Sequence, residues 1–449
     1  MRKKYIFMLK QLQIFFDFLR FCIGSADEIP SSLKEADWKE LYAIAKKQCL
    51  VGILFDGIKK LPAEYVGMKK ELLLQWMAES QMLEKANVRL NDAAIQVSEW
   101  FRKKGFRTCI LKGQGNALMY PNPYSRTPGD IDIWVEGGDK RVISFVRSIS
   151  PHEKACYHHI EFPSYKGIEV EVHYRPSFLL CFWHNRKLQK YYERVKEEQF
   201  SHRVMLREQE EVAIPTAEFN VIFQLTHIYV HLMNEGIGLR QLVDYYYVLC
   251  DFYKVYQNFS KTHPSSLTLK GGSTSHPDPL TLRGEGGNRP TRCSEPLRSK
   301  VGGASKPSPD CAGWDRLSIE GDNSAGSTTA VTSSASTALD VVQEELKELG
   351  LWKFAGGIMY IMQEVFGMPA SRLIVPPNEK YGKFVLNEVL EAGNFGKHDA
   401  RNRFGKSKLG HNLQRVYRDM RLVKFFPAEA LCEPLFRTWH FFWRLKYKK

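Results

Sequence analysis

Apolar residues recur at intervals of three and four along the first hundred positions, which predicts one helix after another over residues 1–104. Leu12, Phe15, Phe16 and Leu19 make one stripe, Trp38, Leu41 and Ile44 a second, and Leu73, Trp76 and Met77 a third. The segment "SQMLEKANVRLNDAAIQVSEWFRKKG" reads as a long helix stopped at Gly105. Arg102, Lys103 and Lys104 sit in its last turn, where cations meet the negative end of the helix dipole.

From Phe106 the period shortens. "FRTCILKG" is a short apolar strand ending at Gly113, "GDIDIWVEG" alternates as a strand with one acidic face, and "RVISFVRSI" returns to helical spacing. "HHIEFPSY" and "GIEVEVHYRP" form a strand pair around the turn Lys166-Gly167. This order predicts a small mixed α/β core over 105–215, and an α+β fold in which helical regions flank a small mixed sheet. Helical periodicity resumes near Thr216 and runs to 257 through "TAEFNVIFQLTHIYVHLM" and "LRQLVDYYYVLCDFYKVY". It then collapses into a stretch rich in Ser, Thr, Gly and Pro over 258–338, which reads as a disordered low-complexity insert. "ALDVVQEELKELGLWKFAGGIMYIMQEVFG" restores the helical pattern, and 339–449 completes the C-terminal helical region begun at 216.

Composition adds three constraints. The chain has 449 residues, 43% of them hydrophobic and 25% charged, enough to bury a sizeable core. The net charge is +14, and its location matters: residues 397–449 carry 14 Lys/Arg against 4 Asp/Glu. Such a tail suits an anionic partner, whether nucleic acid, an acidic membrane surface or a phosphorylated polymer, and the basic and aromatic run "EPLFRTWHFFWRLKYKK" reads either as a last helix docked by its aromatic face or as a peripheral membrane contact. The nine cysteines include no C-x-x-C pair, which argues against a disulfide framework and points to a reducing, cytoplasmic setting. Lys10, Asp17 and Arg20 interrupt the apolar N-terminus at helical intervals, so it reads as an amphipathic first helix rather than a signal peptide.

The chemistry centres on "SRTPGDIDIWVEG". Residues two apart on a strand project from the same face, about 6.6 Å apart at their α-carbons, so Asp130 and Asp132 point one way while Ile131 and Ile133 enter the core. Two ionised carboxylates so placed repel unless a cation lies between them. In "GIEVEVHYRP", Glu169, Glu171 and His173 share one face, and pairing beside the first strand would bring Glu171 to the aspartates. Hard oxygen ligands of this kind suit Mg²⁺ or Mn²⁺. In "ILKGQGNAL", a strand breaking at Gly113 and opening a short helix after Gly115 offers backbone N–H groups to an anion, with Lys112 and Arg126 nearby. His227 and His231 stand one helical turn apart without the acidic neighbour of a zinc motif. Arg240 and Asp244, also one turn apart, form either an intrahelical ion pair or, through the arginine, a triphosphate contact.

The run "LKGQGNALMYPNPYSRTPGDIDIWV" followed by "EVEVHYRP" resembles the polymerase-β-type nucleotidyltransferase superfamily, closest to a bacterial group of poorly characterised members. "HIYVHLMNEGIGLRQLVDYYYVL" is similar to a helical segment of the same group. The resemblance implies transfer of a nucleoside monophosphate from a nucleoside triphosphate to an acceptor hydroxyl, with release of pyrophosphate. Asp130, Asp132 and Glu171 would be the catalytic metal ligands for Mg²⁺ or Mn²⁺. Lys112, Gly113, Gln114, Gly115, Arg126 and Arg240 would form the nucleotide-binding set. Gln114 departs from the second Gly or Ser usual after the first glycine of the turn. The acceptor is open between a sugar phosphate, a polysaccharide precursor, a protein and a tRNA. The alternatives are a catalytically inactive nucleotide-binding module and a nucleic-acid-binding module.

Overall fold

Helix α4 (Lys70–Lys103) is the spine of the N-terminal region. Its buried residues Trp76, Ser80, Asn87, Leu90, Asn91, Ala94 and Phe101 fall on one face at near-helical spacing. Two backbone carbonyls at its C-terminal end are closed by Lys104 and Gly105, the latter at φ +79. Three helices precede it: α1 (Arg2–Ile23), α2 (Trp38–Gln48) and α3 (Val51–Ile58). Helix α2 starts where the Asp37 side chain accepts from the backbone N–H groups of Lys39 and Glu40. The Trp76 indole donates to the Val51 carbonyl at 2.9 Å and ties α4 to α3. The computed structural model describes residues 2–262, 335–401 and 407–447.

The sheet is built from β1 (Thr108–Ile110), β2 (Ile131–Val135), β3 (His159–Tyr165) and β4 (Ile168–His173), in the order β1-β2-β4-β3. β1 and β3 are antiparallel to their neighbours, whereas β2 and β4 run parallel, so the sheet is mixed. The β3–β4 hairpin turns through Lys166 and Gly167, both at positive φ, the geometry that lets a two-residue turn follow the strand twist. The parallel β2–β4 pair needs a crossover, supplied by α6 (Gly138–Ile149). One sheet face, with Ile110, Ile131, Ile133, Val170 and Val172, packs with Leu90, Ala94 and Phe101 of α4 and Val142, Ile143 and Val146 of α6. Cys109 and Trp134 on the other face join the large helical core.

That core is built by α7 (Phe182–Ser201), α8 (Ala217–Asn234) and α9 (Leu239–Thr262), and beyond 334 by α10 (Ala335–Glu348), α11 (Trp352–Glu364) and α12 (Glu379–Ala392). Helix α8 is buried on almost every side, as its nearly uniform apolar run requires. Helices α13 (Lys408–Leu422) and α14 (Pro427–Lys446) close the described chain. The fold is thus α+β, with 14 helices among the described residues and helical regions at both ends of a small mixed sheet. A hairpin of β5 (Arg203–Arg207) and β6 (Glu210–Ala213) has no counterpart in the sequence reading; its charged, weakly alternating residues conceal it. The insert expected over 258–338 falls largely on residues 263–334, which lie outside the described residues. Among the described residues no helix is long and apolar enough to cross a membrane.

Candidate active site

Register decides where the acidic residues meet. β2 pairs with β4 so that Asp132 stands opposite Glu171 and Ile133 opposite Val172. Asp130 lies just before β2, two positions from Asp132 and on the same side. One carboxylate oxygen from each of Asp130, Asp132 and Glu171 lies within 4.8 Å of the other two. The segment leading into β2 is held from several directions. The Asn87 amide donates to the carbonyls of Tyr124 and Arg126 at 2.8 and 2.7 Å, and the Thr127 hydroxyl donates to the Cys49 carbonyl at 2.8 Å.

The electrostatics are divided. Asp132 is buried, which opposes its charge, yet Lys112 and His173 hold its carboxyl below the usual range. Lys112 Nζ lies 2.9 Å from Asp132 Oδ1, and His173 Nε2 donates to the same oxygen at 3.0 Å. Burial works against a charge on His173, but its bonds to Asp132 and Glu171 raise it to about 9. Asp130 is less well supported: the neighbouring Asp132 charge, and then burial, push its carboxyl up against the pull of Lys112. Burial drives His159 the other way, down to about 4, although its Nδ1 lies 3.2 Å from Glu171 Oε2.

The glycine turn is present, but only its first glycine faces the cleft. Gly113 takes φ +58 and ψ −107 at the start of α5 (Gln114–Ala117), a conformation side chains avoid. The other two expected turn residues point elsewhere. Gln114 is buried with its amide on Asn91, and Gly115 turns its Cα toward Ile214, where an added methyl would sit 3.1 Å from a side-chain carbon. The Gly115 N–H is already bonded to the Lys112 carbonyl. Gln114 and Gly115, which the resemblance assigns to the nucleotide, thus make packing contacts here, and Gly113 is the turn residue that lines the cleft. Lys112 itself turns to Asp132 and donates to His227 Nε2 at 3.1 Å.

Arg126 is buried and grips Asp244 with two bonds, Nε to Oδ1 at 2.8 Å and Nη2 to Oδ2 at 2.9 Å. Tyr120 adds a hydroxyl bond to the same carboxylate at 2.6 Å. Arg126 thus clamps the acidic loop to α9 and also lines the cleft. Asp244 spends both oxygens on these partners, and Arg240, although its charge still attracts Asp244, forms no direct ion pair with it. Arg240 Nη1 donates to the Thr127 carbonyl at 3.0 Å, and its buried Nε has no partner. Among the described residues no carboxylate lies within ion-pair distance of Arg240. Burial and the nearby Arg126 lower its pKa below the ordinary arginine value.

These residues line one cleft of about 790 Å³. Asp130, Asp132, Glu171 and the exposed Glu169 stand on its sheet side; Arg240, Lys397, His227 and His231 face it from the helical region. Sequence reasoning missed His158, His159 and Lys397. The signal for His159 was available in the period-2 pattern, since it pairs directly with His173 across β3 and β4. Lys397 is too distant in sequence for any local pattern to reach.

The donor set fits a divalent cation. Three carboxylates converge, and Asp132 still raises the Asp130 carboxyl despite the pull of Lys112. His159, Glu171 and His173 make an adjoining group with nitrogen donors. Cys181, His184 and Glu429 form a separate cluster, but there Glu429 Oε2 already accepts the N–H groups of Leu180 and Cys181 at 2.6 and 2.9 Å. Compared with known proteins, residues 34–255 match a family described as uncharacterised nucleotidyltransferase. Neither a curated protein nor a solved structure matches the chain.

Proposed function

From a chain whose residues 34–255 match this uncharacterised nucleotidyltransferase family, we propose a metal-dependent enzyme of the polymerase-β type. It transfers a nucleoside monophosphate from a nucleoside triphosphate to an acceptor hydroxyl. The observation that carries this reading is the convergence of Asp130, Asp132 and Glu171 in a cleft whose opposite wall holds Arg240, with its Nε unbonded.

Asp130, Asp132 and Glu171 would hold Mg²⁺ or Mn²⁺. When bound, such ions neutralise the triphosphate oxygens and align the attacking and leaving groups. Arg240 presents its planar fork to the phosphates, and the buried Nε without a partner is the donor that an anion would satisfy. Gly113 keeps the backbone beside Asp130 free of side-chain bulk, with the Asp130 carbonyl 3.7 Å from where a Cβ would stand. Glu171, the carboxylate bonded to two histidines, takes the acceptor proton. The acceptor oxygen then bonds to the α-phosphorus as the bond to the bridging α–β oxygen breaks, and pyrophosphate leaves. Most of the acceleration comes from positioning and charge neutralisation.

The test uses triphosphates labelled at the α- or γ-phosphorus, incubated with the protein, Mg²⁺ and a cell extract that supplies acceptors. Label from the α-position should enter a product while label from the γ-position leaves as pyrophosphate, and Asp132→Asn should abolish both. Transfer of the γ-label instead would identify a kinase and overturn the proposal.

A further inference from the structure

The last two helices expose apolar faces that the fold does not use. On α13, Leu409, Leu413, Val416 and Met420 recur at helical spacing and face solvent, Leu409 and Met420 at 70% exposure. On α14, Leu431 and Leu435 are 65% and 62% exposed, and Phe442 and Leu445 continue the same line. This is no failure of packing, because α14 is already docked by its other face. Phe436 is buried and stacks on Phe178 at 5.2 Å, and Trp439 meets Tyr157 edge-on at 5.4 Å. A soluble monomer seldom exposes so many aligned apolar side chains without a partner for them.

Charge identifies the partner. The three acidic residues of this segment, Asp419, Glu429 and Glu433, are all buried. The exposed charged side chains described over 407–447 are Lys424, Arg444 and Lys446, all cationic. A second copy related by a two-fold axis would set this patch against itself and bring cations together with no exposed acid to answer them. A nucleic-acid backbone would leave the apolar stripe unused. An anionic bilayer satisfies both features, apolar side chains entering the headgroup boundary and cations meeting lipid phosphates.

We propose that the outer face of α13 and α14 docks on an anionic lipid bilayer surface. Phe441, Arg444 and Leu445 of that helix end also line a cavity of about 610 Å³ that includes His159, which contacts Glu171. Docking therefore sets the bilayer beside the candidate site, and, if the nucleotidyl-transfer reading holds, beside the acceptor's target. Vesicle binding is measured without metal or nucleotide, so its failure is distinct from failure of that reading.

The full-length protein is sedimented with phosphatidylcholine vesicles and with phosphatidylcholine–phosphatidylglycerol vesicles. It should pellet with the second and remain free with the first. Leu435→Glu and Phe442→Glu should each weaken binding by about tenfold, the value of one apolar side chain withdrawn from the boundary. Met82→Glu, which replaces an exposed apolar residue on α4, should leave binding unchanged. Circular dichroism shows that each variant is folded. Equal pelleting with both lipids, no pelleting with either, or a dimer in light scattering that Leu435→Glu dissociates would each overturn the proposal.

Discussion

Replacing Asp130 by asparagine should move stability in opposite directions with and without metal. Its carboxyl oxygen lies within 4.8 Å of those of Asp132 and Glu171, and its folded pKa is raised, chiefly by the Asp132 charge and then by burial. A carboxylate with a raised folded pKa costs stability at neutral pH, because the unfolded chain gives up that proton more readily. At 4.8 Å and an effective dielectric near 20, the gross repulsion from Asp132 is about 3 kcal/mol. Attraction from Lys112 offsets much of it. A net gain of about 1 kcal/mol remains for the metal-free variant, a melting rise of about 1–2 °C for a chain of this size. The wild-type protein should gain about 2.7 kcal/mol from Mg²⁺ at a hundred times its dissociation constant, and the variant should gain almost none. Differential scanning fluorimetry in chelator and in Mg²⁺ reads both effects. A metal-free variant less stable than wild type, or an undiminished Mg²⁺ shift, would refute the repulsion argument.

Three further outcomes follow from the same geometry. His173, raised to about 9 by Asp132 and Glu171 against the effect of burial, stays protonated in the folded state above the pH at which the unfolded chain releases its proton. Its contribution is therefore complete below about pH 6.5 and lost as pH rises through about 9, on the order of 3 kcal/mol in urea titrations of the chelated protein; a His173→Gln variant with an unchanged pH profile would contradict this. Asp244→Ala leaves the buried Arg126 guanidinium unpaired and removes the Tyr120 bond, so it should cost about 3–5 kcal/mol in equilibrium unfolding, and a loss under 1 kcal/mol would show that the clamp is weak. Arg240→Ala should weaken Mg²⁺-triphosphate binding by about 10- to 100-fold with little change in melting temperature, measured by calorimetry; unchanged affinity would remove Arg240 from the phosphate site.

The parts of the site that were legible in the sequence are those set by a local period. Alternation along "GDIDIWV" and "GIEVEVH" placed Asp130, Asp132 and Glu171 on one face, and the observed register sets Asp132 beside Glu171. The Lys166-Gly167 turn was legible through Gly167, which takes the positive φ that favours glycine. What could not be read depends on contacts between distant segments. Arg126 meets Asp244 118 positions away, and no local pattern distinguishes that pair from the nearer Arg240–Asp244 spacing. Gly115 looked like a phosphate-turn glycine, yet its smallness answers to Ile214, nearly a hundred residues on. The apolar and basic run of α14 was legible as a surface helix, but periodicity gives a helix its apolar faces and not which of them the fold covers.

The most direct measurement is anomalous scattering from crystals grown with Mn²⁺ and a non-hydrolysable triphosphate. Manganese should appear among the carboxylates of Asp130, Asp132 and Glu171, with the triphosphate running from it toward Arg240. Manganese bound only at Cys181, His184 and Glu429, or a nucleotide lying outside the cleft, would contradict the account.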